Sequence, residues 1–221
     1  MRKREDLKRK GSLMKLSATL LMGLFLLSTS AFAAPILDGQ ILPGDAYTGQ
    51  IFDATGEGSY GAGLDIAGLS YSFDSTYVYF GLATTGTFSA HGSDLSIDGA
   101  TVFDLNMTAT SGGPLVQKLR VYMTSPTDVA AGLYTSNSAF ASPIWVAGAG
   151  DIAVAETVNG GLEIRLPLSQ LGNLGTDFYV RGQLDDTGEY GDDVIAGRVP
   201  EPMTMALLGM GGVALLARRR K

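Results

Sequence analysis

The chain has 221 residues and no cysteine, so it is long enough for one domain with short appendages and excludes disulfides and thiolate metal sites. Thirty glycines, 45 % hydrophobic residues and clusters of Thr, Val, Tyr and Phe favour short strands and tight turns over long helices. Residues 34–198 hold five basic and nineteen acidic residues, a net charge of −14, which argues against nucleic acids and anionic lipid surfaces as partners.

The N-terminus has the three parts of a secretory signal. Residues 1–15 carry seven Lys or Arg, residues 16–27 form an apolar run, and Ala31 and Ala33 place small side chains before a cleavage point. We expect a signal peptide over 1–33, cleaved after Ala33, and handling by the export machinery. An uncleaved membrane anchor is the alternative, but the apolar run is shorter than the roughly 20 residues that a spanning helix needs.

Strand patterns recur at short spacing in the middle of the chain. Residues 69–73 and 77–82 flank the turn formers Asp74, Ser75 and Thr76, which predicts a hairpin. Further strands are predicted at 101–108, 115–123, 152–157, 161–166 and 178–183, a second hairpin turn at 159–161, and a short helical turn at 167–171. Many strands without a long amphipathic helix predict an all-β domain over 34–184, an antiparallel β-sandwich of jelly-roll type.

Three stretches of this domain occur in an order typical of known modules. They are Ile36 to Gly39, the hairpin from Tyr71 to Gly81, and Gly161 to Leu171. In this order the chain weakly resembles family 9-like carbohydrate-binding modules and DOMON-type sandwiches. The resemblance implies that aromatic side chains bind a saccharide.

Trp145 is the only tryptophan and the first candidate for such an aromatic platform, with tyrosines as substitutes. An indole can stack on the CH face of a sugar ring. Trp145 lies between Ile144 and Val146, so packing in the core or against a sheet is the competing interpretation, and the pattern favours it.

Carboxylates concentrate near the end of the domain. A glycine-containing loop with several carboxylates could bind calcium, which takes six to eight oxygen ligands, although the spacing is not that of an EF-hand. The competing prediction is a solvated acidic linker over 185–198, leading to the C-terminal segment. A second acidic set, at Asp38, Asp45, Asp53, Glu57 and Asp65, is expected to cap turns. The candidate calcium ligands are Asp185, Asp186, Glu189, Asp192 and Asp193.

Catalytic patterns are missing from the sequence. His91 is the only histidine, so a multi-histidine metal site is excluded, and a Ser-His-Asp triad would depend on this one exposed loop residue. No nucleophile elbow or phosphate loop is present. We expect no catalytic residue and no enzyme activity; a glycoside hydrolase is a distant alternative that would need two converging carboxylates.

The C-terminus combines three features. Pro200, Glu201 and Pro202 precede an uncharged segment, 203–217, which is followed by Arg218, Arg219, Arg220 and Lys221. At about 1.5 Å per residue, fifteen helical residues span about 22 Å, a short transmembrane segment whose basic end stays in the cytoplasm. Residues 199–221 closely resemble the PEP-CTERM sorting signal of biofilm-forming bacteria. The resemblance implies a transient inner-membrane anchor, recognition by an exosortase, and release to the cell surface or extracellular matrix.

Together these patterns predict an exported, sorted, non-catalytic β-sandwich with a structural or interaction role at the cell surface or in the matrix. A carbohydrate-binding module that recognises exopolysaccharide is the alternative, and it predicts Trp145 and one or two tyrosines exposed on one sheet. No cofactor is expected beyond a possible calcium ion.

Overall fold

The computed structural model describes residues 34–54, 64–90, 100–136, 142–186 and 193–200. The predicted signal peptide, His91, Glu57, Glu189, Asp192 and everything from Glu201 onward lie outside these ranges. The described chain forms eleven strands and two single turns of 3-10 helix, at Leu168–Gln170 and Gly172–Leu174. The strands are β1 Gly49–Phe52, β2 Ile66–Phe73, β3 Tyr77–Thr84, β4 Thr101–Thr108, β5 Leu115–Ser125, β6 Asp128–Thr135, β7 Trp145–Val146, β8 Ile152–Val154, β9 Gly161–Pro167, β10 Phe178–Asp186 and β11 Asp193–Val199.

The strands form two antiparallel sheets. One has five strands in the order β1-β2-β3-β9-β8, and the other has six in the order β11-β10-β4-β5-β6-β7. Every described pairing is antiparallel. The predicted all-β antiparallel sandwich is confirmed.

Alternation of side chains along the strands places one core between the sheets. In β4 and β5 every second residue is buried, as in a strand with one face against the core and the other face exposed to solvent. Phe80 of the five-stranded sheet meets Phe178 of the six-stranded sheet edge to face, with 6.4 Å between ring centroids. Residues from both sheets therefore belong to one buried apolar cluster.

Turn chemistry explains the β2–β3 hairpin. The Oδ1 of Asp74 accepts hydrogen bonds from the backbone N–H groups of Thr76 and Tyr77, at 2.6 and 2.7 Å. Burial alone would raise the pKa of Asp74, but these bonds and one from the Tyr79 hydroxyl outweigh it and lower that pKa. The hairpin is thus held by the turn formers that predicted it.

Strand boundaries differ from the predictions in several places. β8 ends at Val154, three residues early, while β5 and β10 continue past their predicted ends. Strands β1, β6, β7 and β11 were not predicted. β7 has only two residues and pairs with β6 alone, so its sequence carries no periodicity to detect.

The predicted acidic linker over 185–198 is wrong. β10 continues to Asp186, and β11 pairs with β10 along its whole length, from Asp193 to Val199. Ile195 and Val199 are fully buried and, four residues apart, lie on the same face of the strand, a core pattern hidden by neighbouring charged residues. The folded sandwich therefore extends to Val199, directly before Pro200.

Within the described ranges, no helix is both long and apolar enough to cross a membrane. The predicted transmembrane segment, 203–217, lies outside those ranges.

Candidate functional site

The sandwich has two outer faces, and they differ in what covers them. We call the outer surface of the five-stranded sheet, around Gly81 and Glu163, the closed face. The N-terminal segment, residues 38–48, lies across it before the chain enters β1. The N–H of Gly161 donates to the carbonyl of Gly39, and the N–H of Ile41 donates to the carbonyl of Asn159.

Glu163 anchors this segment. Its side chain is fully buried, and its carboxylate accepts three hydrogen bonds from the segment. The N–H groups of Asp38 and Gly39 donate to Oε2 at 2.9 and 2.8 Å, and the Tyr47 hydroxyl donates to Oε1 at 2.7 Å. All three donors thus depend on one acidic side chain.

Close packing over the sheet explains the glycine at position 81. Gly81 pairs in register with Glu163, and a Cβ atom at position 81 would lie 2.7 Å from the Tyr47 hydroxyl. Real Cβ atoms do not approach other atoms so closely, so a side chain at this position would displace the Tyr47 ring. The closed face is therefore filled above Gly81, while a groove of about 420 Å³ remains beside the N-terminal segment, lined by residues such as Leu42, Pro43 and Gln50.

Burial sets the electrostatics of this face. Burial raises the pKa of Glu163, although the hydrogen bonds from Tyr47, Gly39 and Asp38 oppose that rise. Burial and the adjacent Glu163 carboxylate also raise the pKa of Tyr47, so its hydroxyl stays protonated and remains a donor. The pair holds the segment in place and does not form an exposed catalytic dyad.

We call the outer surface of the six-stranded sheet the groove face. Its side chains are the alternate residues that β10, β4, β5 and β6 do not send to the core. In register across these strands, Arg181 lies beside Asn106, Asn106 beside Lys118, and Lys118 beside Tyr134. Directly opposed residues of antiparallel strands have Cβ atoms about 4.5–5.5 Å apart, so one row carries a guanidinium, an amide, an ammonium and a phenol.

A groove of about 680 Å³ runs over this row. Tyr179 and Arg181 line one side, and the β4–β5 turn, including Ser111 and Gly112, lines another. Gly112 has φ +67°, the left-handed conformation that glycine adopts without strain, so the turn can rise beside the sheet. None of the described residues that line the groove is Asp or Glu.

Two groups in the groove have no partner for their polar atoms within the described structure. Arg181 is exposed and forms no ion pair with a described carboxylate. The Oδ1 of Asn106 is buried and accepts no hydrogen bond. An unsatisfied buried polar atom costs about 1–3 kcal/mol, so the Asn106 side chain gains by meeting a donor.

Other cations of the groove face are already paired. Asp104 binds Lys118 at 3.1 Å and Arg120 in a two-bond contact at 2.6 and 2.7 Å. Burial would raise the pKa of Asp104, but these two cations outweigh it and lower that pKa. At the β10–β11 edge, Arg198 forms a similar two-bond contact with Asp177. Among the described residues of this face, Arg181 is thus the cation that forms no ion pair with a carboxylate.

The basic residues of this acidic domain are unevenly distributed between the two sheets. Four of the five basic residues between 34 and 198 lie on the groove face, and Arg165 is the fifth. Arg165 belongs to the five-stranded sheet, where it pairs with Asp151 and packs over Tyr77. The basic residues are therefore concentrated on the face that carries the groove, together with the carboxylates of Asp104 and Asp185.

The structure places Trp145 in edge strand β7, paired with Leu133. Its indole is partly buried and packs against the core, which favours the packing interpretation of the sequence. Exposed apolar neighbours are Ile144 and Val146, whereas the aromatic residue of the groove is Tyr179. Trp145 and Tyr179 do not line a common groove.

The predicted calcium ligands are dispersed where they can be described. Asp185 lies beside Val102 on the groove face, and Asp193 is buried beside Leu184. The Asp193 carboxylate accepts hydrogen bonds from the N–H groups of Ile66 and Val194, so it ties β11 to the other sheet. Asp185 and Asp193 therefore do not share a site.

No group of three or more His, Asp or Glu side chains suited to a metal ion occurs within the described ranges. In the N-terminal acidic set, the side chain of Asp38 accepts from the N–H of Gln40, and that of Asp45 accepts from the N–H of Leu42. The predicted turn-capping role is confirmed for these two residues.

Sequence reasoning did not identify Arg181, Asn106 or Tyr179 as candidates. A signal for them existed, because each alternates with buried residues of a predicted strand, which places it on an outer face. The alternation does not say which strands become neighbours, so the row could not be assembled.

Comparison with known proteins concerns the C-terminus. A model of the PEP-CTERM protein-sorting motif matches residues 198–221, which include Pro200, Glu201, Pro202 and the four terminal basic residues. No curated protein sequence and no solved structure matches the chain. The match begins inside β11, so the sorting motif directly follows the folded sandwich. The chain carries a PEP-CTERM sorting motif and is an exported protein targeted to an exosortase.

Proposed function

We propose that this exported protein works at the cell surface or in the extracellular matrix as a non-catalytic module that binds polysaccharide through the groove face. The observation that carries the proposal is the contrast between the two outer faces. The N-terminal segment covers the closed face above Gly81 and leaves a groove of about 420 Å³ beside it, while the other face keeps a groove of about 680 Å³ with an aromatic ring and unpaired polar groups.

The composition of the groove supports a saccharide ligand. Tyr179 offers a ring for the CH face of a sugar, and Asn106 and Ser111 offer polar atoms for hydroxyl groups. Sites for polar ligands combine a concave surface with a few convergent polar groups, as here.

The same lining disfavours hydrolysis. Glycoside hydrolysis needs two carboxylates on either side of the scissile bond, and the described lining contains neither Asp nor Glu. The buried Glu163 lies on the opposite sheet and is covered by the N-terminal segment. A role in binding is therefore the better supported proposal.

Binding is tested with the full-length chain in non-ionic detergent, against neutral soluble polysaccharides and the exopolysaccharide of the producing cells. Tyr179→Ala should abolish binding, because it removes the aromatic wall of the groove. Tyr122→Ala is the matched control, since Tyr122 is exposed on the same sheet but does not line the groove. Equal losses in both variants, or no binding by the native chain, would refute the proposal.

Location is tested by mass spectrometry of the protein recovered from each fraction of its producing cells. A surface or matrix form should begin near Ala34 and end near Pro200, since both predicted processing segments would be gone. Recovery of a chain that still contains Arg218–Lys221 in the membrane fraction alone would contradict surface release.

A further inference from the structure

We infer that the groove face is selective for acidic polysaccharides, and that Arg181 binds the carboxylate of a uronate residue. The inference rests on the proposed function, because it names the class of glycan that the same groove accepts. It is carried by the position of Arg181 in the groove, where it forms no ion pair with a described carboxylate, and by the pattern of ion pairs around it.

Arg181 is the first element of the argument. The domain has a net charge of −14, so an unpaired arginine is in an environment rich in possible partners, yet no described carboxylate pairs with it. Its neighbours in register are Asn106 on β4 and Ala196 on β11, neither of which carries a charge. The guanidinium can therefore present its planar fork to a ligand, and that fork matches a carboxylate.

Asn106 is the second element. Its Oδ1 lacks a donor, while Arg181 beside it needs an acceptor. Because the Oδ1 is buried, the Asn106 side chain must turn toward the groove to meet a ligand, and a ligand that then satisfies both residues carries an anion and a hydroxyl group a few ångströms apart. A uronate residue has both on one pyranose ring, whereas a free inorganic anion at neutral pH offers mainly acceptors.

Tyr179 is the third element. It lies on β10 two residues from Arg181, so both side chains extend from the same face of the strand. A sugar ring packed on Tyr179 would place a ring substituent near Arg181. The groove thus combines an aromatic surface and a cation on β10 with the Asn106 amide on β4.

The test compares two polymers with one backbone: de-esterified polygalacturonate, which is anionic, and its fully methyl-esterified form, which is neutral. The full-length chain in non-ionic detergent is titrated with each polymer in the presence of a chelator, which prevents calcium bridging. A charge-assisted contact should make the anionic polymer bind about tenfold more tightly.

Arg181→Gln should abolish this preference, so that the anionic and the neutral polymer bind with equal affinity. Arg198→Gln is the matched control, because it removes the same charge from the same sheet, but Arg198 is already paired with Asp177 and does not line the groove. This control should keep the preference. Equal loss in both variants would overturn the inference in favour of a general effect of net charge.

Three further outcomes decide the matter. Equal binding of both polymers by the native chain overturns carboxylate selectivity while the proposed function stands. Binding of dextran sulfate as tight as that of polygalacturonate shows that any polyanion suffices and also overturns the inference. Binding of neither form overturns it as well, and the panel of neutral polysaccharides then shows independently whether the proposed function survives.

Discussion

The two outer faces of this sandwich are built from similar strands but differ in what covers them. On the closed face, a carboxylate with three donors is fully buried under the N-terminal segment. On the groove face, Asp104 also meets three donor atoms, but these belong to Lys118 and Arg120, and Arg120 is half exposed. Both carboxylates therefore accept the same number of hydrogen bonds. On the closed face these bonds hold the N-terminal segment over the sheet, whereas on the groove face they join surface side chains and no segment covers them.

The largest effect is expected from removing the two carboxylates in turn. Glu163→Ala leaves two backbone N–H groups and one hydroxyl without their acceptor in a buried place, and should lower the free energy of unfolding by about 3 kcal/mol. Asp104→Ala releases side chains that can return to water, and should lower it by about 1 kcal/mol. Urea unfolding followed by circular dichroism measures both, and equal losses would break the comparison.

The next effect tests whether the closed face is filled. Gly81→Ala places a methyl group against the Tyr47 hydroxyl and should destabilise the protein by about 1–3 kcal/mol, a typical cost of overpacking. Limited proteolysis should then cut within residues 38–48. Gly132→Ala on the six-stranded sheet is the control, since its Cβ would meet no atom closer than 3.2 Å. Identical proteolysis of both variants would contradict a filled closed face.

The pH dependence of stability tests the buried charge. Because the folded-state pKa of Glu163 is raised above the ordinary 4.5, the protonated carboxyl is favoured in the folded protein. Its contribution is complete below that ordinary value and is lost as the pH rises through the folded-state pKa.

Glu163→Gln should therefore remove this part of the pH profile. The stability of the native chain relative to the variant should fall as the pH rises above 4.5, as measured by urea unfolding. Burial also raises the pKa of Asp193. Because Asp193 is present in both proteins, its contribution cancels in the difference between them. The lowered pKa of Asp104 acts below 3.8, outside the window. If the difference in stability between the two proteins stays constant across the range, ionisation of Glu163 costs the folded protein no stability.

The smallest effect is expected on the groove face. Arg181→Gln and Arg198→Gln should leave the midpoint of urea unfolding unchanged, because Arg181 has no described partner and the pair of Arg198 with Asp177 is exposed. A clear destabilisation by Arg181→Gln would assign this residue to the fold and remove it from the groove proposal.

Local patterns carried the parts of the fold that were predicted. The β2–β3 hairpin followed from Asp74 and its neighbours, and β4 was placed correctly because its residues alternate over a full strand. β11 was mistaken for a linker because the acidic residues before it dominate the composition, although Ile195 and Val199 face the core. Strands with mixed signals acquire their role from the partner they pair with.

The candidate site could not be predicted from such local patterns, for a related reason. Asn106 and Lys118 are close in the sequence, but Arg181 joins them only because β10 pairs with β4. Trp145, the residue that composition selected first, packs against the core instead. Rarity of a residue type indicates importance, but it does not distinguish a core position from a binding position.

By itself, the sequence determined the strand-rich class and the sorting motif, because hydrophobic alternation, turn residues and a contiguous C-terminal signal are all local properties. Only the tertiary structure decided which outer face the N-terminal segment covers and which side chains meet in the groove. Those outcomes depend on pairings between residues as far apart as Asp38 and Glu163, or Asn106 and Arg181. Periodicity places a side chain on a face, whereas long-range pairing determines its neighbours.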